Sequence, residues 1–150
     1  MKYDDASWHY GAENFSPDLP PEAGATHIAM FVAWAALNGL AGELHLDDFQ
    51  AELERLRNRE WTPTQWFLCV CDEKFTNEDL NEEGNLFARA YYGDENGLPT
   101  SAASFIDDYC GAFSSEDIYA VPDGWMTYAE IASVIDRRYE AWRSRAFPTS

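Results

Sequence analysis

Positive charge is scarce in this sequence: Lys and Arg number 10 against 27 Asp and Glu, for a formal net charge of −17. A conventional nucleic-acid binder needs a basic surface to neutralise phosphates, so that class is excluded. Docking on an anionic membrane is disfavoured for the same reason. Long apolar runs are missing as well. The longest apolar-rich stretch, Ile28 to Leu37, spans ten residues, well short of the about 18 that a membrane span needs. Cysteine is sparse: Cys69, Cys71 and Cys110 form an odd set that reads as reduced thiols, not a disulfide framework. The opening MKYDDASWHYGAENF has no basic start leading into an apolar run. Together these features set the expectation of a cytoplasmic chain. Internal repeats, low-complexity tracts and domain linkers are absent, as are G-x-S-x-G, P-loop and G-x-G-x-x-G motifs.

What is present suits one folded domain over 1–150. The 150 residues are 46% hydrophobic and 15% aromatic, enough for a real core and unlike a disordered chain. The charge is uneven. Residues 72–123 carry 13 acids and two bases, whereas 124–150 carry three acids and four bases. The middle of the chain is its acidic pole, and a basic partner is the electrostatic complement.

The pattern predicts an all-α domain of five or six helices. Thr26 to Leu37 is apolar almost all round and ends at Asn38-Gly39, so it is expected to be the central helix, near 26–38. Leu46, Phe49, Leu53 and Leu56 recur at helical spacing. Thr62-Pro63-Thr64-Gln65 is a capping box with Pro at the first turn, and Trp61 and Trp66 stand at staple positions. Thr76 with Asp79 is a weaker version before Leu80, Phe87 and Tyr91, with Phe75 and Leu80 as staple. Thr127 with Glu130 reads as a full box before Ile131, Ile135, Tyr139 and Trp142. Ser101 to Tyr109 predicts a further helix with Ala102, Phe105, Ile106 and Tyr109 on one face. Gly93 to Gly97 and Ser114 to Asp117 read as loops, and Ile118 to Val121 as one short strand with little to pair with.

Chemistry-bearing patterns are few. His9, His27 and His45 are scattered, and His27 is expected to be a satisfied core or cap histidine. Cys69 and Cys71 would diverge by about 200° on a helix, so they read as small core hydrophobes. The pairs Asp4-Asp5, Asp47-Asp48 and Asp107-Asp108 would diverge by about 100°, which makes each a solvated face and a poor dyad. Asp94-Glu95-Asn96-Gly97 lacks EF-hand spacing. No catalytic, metal or cofactor residues are therefore assigned. The N-terminal arm over 1–20, with Tyr3, Trp8, His9, Tyr10 and Phe15 among acids, reads either as an arm docked on the helices or as an aromatic binding hot spot.

Four segments, KYDDASWHYG, LPPEAGATHIAMFVAW, CDEKFTNEDLNEEGNLFARAYY and VIDRRYEAW, resemble a family of small acidic bacterial proteins carrying a domain of unknown function. The resemblance runs from Lys2 to about Trp142 and carries no catalytic residues. Its members look like immunity proteins of polymorphic toxin systems. The resemblance and the charge together imply a non-enzymatic immunity protein that binds a cognate toxin or effector with a basic surface and occludes its active or substrate-binding face. The expected contact residues are Asp72, Glu73, Glu78, Asp79, Glu82 and Glu83. Asp107, Asp108, Glu116 and Asp117 come second, and Trp8, Tyr10, Tyr91 or Tyr92 would be the aromatic anchors. Two alternatives stay open. One is a small metal-assisted hydrolase using carboxylates and His27, which a shared pocket holding His27 and two acids would favour. The other is an acidic nucleic-acid mimic, which needs a regular row of acids, whereas here Phe75, Leu80 and Phe87 interrupt them.

Overall fold

The apolar run after Gly24 becomes the buried axis on which the other elements are arranged. The computed structural model describes residues 2–10, 19, 21–93, 104–113 and 118–146. Their order is β1 (Lys2–Asp5), α1 (Ala6–Tyr10), α2 (Thr26–Leu37), α3 (Gln50–Arg57), α4 (Pro63–Val70), β2 (Lys74–Thr76), α5 (Glu82–Tyr91), α6 (Phe105–Phe113) and α7 (Trp125–Ala146). Short 3-10 turns cover Pro21–Gly24, Asn77–Asp79 and Ile118–Ala120, and a π-helical turn covers Leu44–Asp48. The all-α reading holds at the level of a mostly helical domain, with seven α-helices and a two-stranded ribbon among the described residues. The expected loops at Asp94–Gly97 and Ser114–Asp117, the start of the helix expected from Ser101, and Phe15 lie outside the described residues.

Every residue of α2 from Thr26 to Ala36 is buried, because α4 and α7 pack on it and the aromatic side chains of α5 and α6 close over it. Phe31 is the hub. Its ring centroid lies 5.1 Å from Tyr92, 5.4 Å from Phe105 and 5.6 Å from Phe75. Burying a ring of this size contributes about 1.5–3 kcal/mol. One turn along the same face the Trp34 indole N–H donates to Asp136 of α7 at 2.7 Å. Ile131, Ile135, Tyr139 and Trp142 all face the core from α7, as their spacing requires.

The local start signals hold at some helices and not at others. Thr62 does cap α4: its hydroxyl accepts from the Gln65 N–H, and its own N–H donates to the Gln65 side chain. Thr76 and Asp79 form the second box, but around the Asn77–Asp79 turn; Asn81 caps α5 by accepting from the Gly84 N–H at 2.8 Å. Thr127 is not a cap. Helix α7 begins two residues earlier, with Tyr128 N–H donating to Gly124 carbonyl, and Thr127 is buried within its first turn. Ile118 to Val121 is no strand, since its first three residues form a 3-10 turn. The sheet lies elsewhere. β1 pairs antiparallel with β2, and a register shift between Lys2 and Asp4 places an extra residue on β1. A lone two-stranded ribbon is marginal in water. This one is held because the Tyr3 and Phe75 rings meet at 4.7 Å and Phe75 packs on Phe31.

The segment from Leu46 to Leu56 is also not one regular helix. Phe49 N–H donates to Leu44 carbonyl across five residues, and this wide turn shifts the phase. Leu46 is thereby left exposed and His45 takes the inner position. Ile106 likewise faces outward on α6, and Cys69 is exposed on α4, so neither is the core residue that its pattern suggested.

Candidate functional site

The segment from Gly39 to Gly42 runs alongside Asp79 to Asn81, and their backbones bond to one another. Gly42 N–H donates to Asp79 carbonyl at 3.0 Å and Asn81 N–H to Leu40 carbonyl at 2.9 Å, flanking a bridge between Ala41 and Leu80. Gly42 is required there: a Cβ would overlap the Glu78 carbonyl oxygen and stand 2.9 Å from that of Leu80. This seam forms the floor of an open groove of about 790 Å³. Leu44, Leu46 and Leu80 supply apolar surface, and Glu43, Asp47, Asp48, Glu78 and Glu82 line it with carboxylates. Arg57 is the one base in the lining, and Glu54 already pairs with it.

The structure separates the residues expected to meet a partner. Glu78 and Glu82 are exposed on the groove, and Asp72 and Glu73 form a tight turn before β2. Both turn residues have positive φ, and Lys74 N–H closes the turn on Cys71 carbonyl. Asp79 is buried, so it belongs to the interior and not to a charged ridge. Glu83 is engaged by the Tyr139 hydroxyl, with Arg143 3.9 Å away. Asp107 is exposed. Asp108 instead accepts from Arg138 at 2.9 and 3.0 Å and from the Tyr91 hydroxyl at 2.6 Å. Tyr91 is a core residue and Tyr92 reaches inward to Asp4, so neither is an open anchor. Trp8 is 46% exposed and stays available. Tyr10 ends α1, while Glu116 and Asp117 lie outside the described residues. Sequence reasoning missed Glu43, Asp47 and Asp48 as groove residues. Their signal is weak, because the groove depends on the seam between distant segments.

Two polar clusters form inside the fold. In the first, Asp4 of β1, His9 of α1 and His27 of α2 converge. Asp4 Oδ1 accepts from His9 Nε2 at 2.7 Å and from Asp5 N–H at 2.8 Å, while its Oδ2 accepts from the Tyr92 hydroxyl at 2.5 Å. The other nitrogen of His9 lies 2.8 Å from the Tyr119 hydroxyl. Burial alone would raise the Asp4 carboxyl, but the His27 and His9 imidazoles beside it hold it well below the ordinary range. His27 is 1% exposed and its Nε2 stands 3.6 Å from Asp4, beyond hydrogen-bond reach; neither ring nitrogen has a partner. Burial pushes its pKa down against the pull of Asp4. His27 is thus a core histidine, as expected, but an unsatisfied one. Asp5 turns away to Lys2 and Ser7, so His27 shares its site with one acid and a second histidine, not with two acids.

In the second cluster the π-helical turn aims His45 at Asp79, with Nε2 2.8 Å from Oδ1. Cys71 Sγ lies 3.5 Å from the same oxygen, and Asp79 Oδ2 accepts from Thr76 N–H at 2.8 Å. Burial, and then the neighbouring Asp79 charge, push the Cys71 thiol well above its usual pKa, so it remains a thiol that donates. A buried thiol held protonated is a poor nucleophile.

Fold and sites together define a mostly helical, strongly acidic domain whose N-terminal strand and helix are clasped onto the helical body. The chain belongs to the family of the domain of unknown function DUF7832, whose profile matches residues 2–121. That span contains both polar clusters and every lining residue of the groove, and it ends before α7. No curated protein and no solved structure matches the chain significantly.

Proposed function

We propose that this protein is a binding inhibitor of the immunity type, which captures a cognate toxin or effector through the groove beside the Gly39–Gly42 seam. One observation carries the reading: five carboxylates, from Glu43, Asp47, Asp48, Glu78 and Glu82, ring an apolar floor, and the only base in the lining is already paired. An apolar centre with a charged rim is the anatomy of a protein-binding surface. Carboxylates of one sign on a backbone-bonded frame would steer a basic partner into register and speed its capture. The toxin's activity would then be lost by occlusion, with no chemistry from this chain.

The test is association with the product of the neighbouring gene, purified as the candidate toxin. Reversing Glu43, Asp47, Glu78 and Glu82 to Lys is expected to slow association at least tenfold, and raised salt is expected to slow the wild-type rate. Folding should survive, since all four side chains are exposed. Full protection of toxin-expressing cells by the reversed variant, with an unchanged association rate, would overturn the reading.

A further inference from the structure

We infer that Asp4, His9 and His27 form a binding site for one zinc-class divalent cation, held up by the Tyr92 and Tyr119 hydroxyls. The site is independent of the groove and does not rest on the inhibitor reading.

The first argument is geometric. Zinc ligands lie about 2.0–2.1 Å from the ion, so two ligands of a tetrahedral site stand about 3.3 Å apart. The His9 Nε2 and His27 Nε2 atoms lie 2.7 Å and 3.6 Å from the two oxygens of the Asp4 carboxylate, on either side of that value. One ligand atom from each of the three residues fits within a span of 4.8 Å. Small rotations of these side chains would bring all three to one ion.

The second argument is the unmet imidazole. A buried polar group without a partner is destabilising, and His27 carries two such nitrogens at 1% exposure. A cation accepting its Nε2 lone pair would satisfy one of the two and draw the Asp4 carboxylate, 3.6 Å away, to the same ion.

The third argument is the support around the ligands. Ligating histidines usually bond a second group through the far nitrogen, which sets the tautomer. Without an ion, His9 donates from Nε2 to Asp4 and accepts the Tyr119 hydroxyl at Nδ1. With an ion on Nε2, the proton sits on Nδ1 and is donated to the same Tyr119 oxygen, because a hydroxyl serves either role. Asp4 keeps the Tyr92 and Asp5 donors in both states. Two imidazoles and one carboxylate suit zinc, whereas magnesium and calcium prefer all-oxygen sites. The His9 side chain is 20% exposed, which provides a route of entry, and water completes the coordination.

The test uses untagged full-length protein, stripped with a chelator and titrated with Zn²⁺ against a chromophoric competitor. One Zn²⁺ per chain is expected. The Co²⁺ adduct should show the visible bands of a four-coordinate nitrogen–oxygen site without a thiolate charge-transfer band. His9→Ala, at a part-exposed position, should weaken binding at least tenfold while keeping its helical circular dichroism. Tyr119→Phe should weaken binding about tenfold, and Cys71→Ala should bind as wild type does. Absence of stoichiometric binding by wild type would overturn the site, as would a thiolate band or unweakened binding by His9→Ala. The cobalt spectrum is read on wild type, so it decides the matter even if a variant fails to fold.

Discussion

The two buried histidine clusters use nearly the same residues to opposite ends. Around His45 the hydrogen bonds close on themselves. Asp79 serves His45, the Cys71 thiol and the Thr76 backbone at once, and only His45 Nδ1 lacks a partner. Around His27 they do not close: Asp4 is satisfied by its other neighbours, and the imidazole next to it has none. A closed polar network stabilises and specifies a core. An open one costs stability and so points to a ligand, which makes the unpaired nitrogen more informative than the residue types.

The difference predicts opposite signs for the same substitution. His45→Leu should destabilise the protein most, since it leaves Asp79 buried without its principal partner; each buried group left unmet costs about 1–3 kcal/mol. His27→Leu should do the reverse in the presence of a chelator. It should raise stability by about 1 kcal/mol by removing an unpaired buried polar group, and it should abolish zinc binding. Urea unfolding of both variants checks the pair, and two losses of similar size would erase the distinction.

Gly42→Ala tests the seam that joins the closed cluster to the groove. Overpacking against the Glu78 and Leu80 carbonyls should cost about 1–3 kcal/mol, whereas zinc binding, at the other cluster, should be unaffected. A melting midpoint equal to that of wild type would mean that the seam yields easily.

The smallest effect is expected at a further closed unit, Asp108 with Arg138 and Tyr91. Burial would raise the Asp108 carboxyl, but the Arg138 and Tyr91 hydrogen bonds outweigh it and hold its folded pKa below the ordinary 3.8. The unfolded chain therefore takes up this proton first as pH falls. The stabilisation is complete above about pH 4 and is lost as pH drops through the folded value. Asp108→Asn should lower stability at neutral pH and flatten the acid limb of the stability curve. Identical pH profiles for variant and wild type would remove Asp108 from the account.

Much of the helical framework was legible because it rests on local signals. The all-round apolar run of Thr26 to Leu37 allows only a buried helix, and the Thr62 box with Pro63 shows where α4 begins. Local reading failed where a local signal had a tertiary competitor. The Leu46 periodicity was overridden by a wide turn that gives His45 its bond to Asp79. The Thr127 box was overridden by a helix that starts at Trp125. Asp79 reads as one acid among six in 72–83, and nothing in that run shows that it alone turns inward.

The sequence by itself determined the helical class, the central helix, the acidic surplus and the membership that its motifs suggested, since each is a property of composition or short-range spacing. Only the tertiary structure decided which carboxylates face solvent together and which histidines meet carboxylates. Glu43 and Glu78, 35 positions apart, share a groove because the backbones of Leu40–Gly42 and Asp79–Asn81 bond to one another. Asp4, His9 and His27 share a site because β1 pairs with β2 and α1 packs on the Pro21–Gly24 turn that leads into α2, which brings three separate elements to one point. Such convergence depends on how buried faces pack, and no local pattern in the chain encodes it.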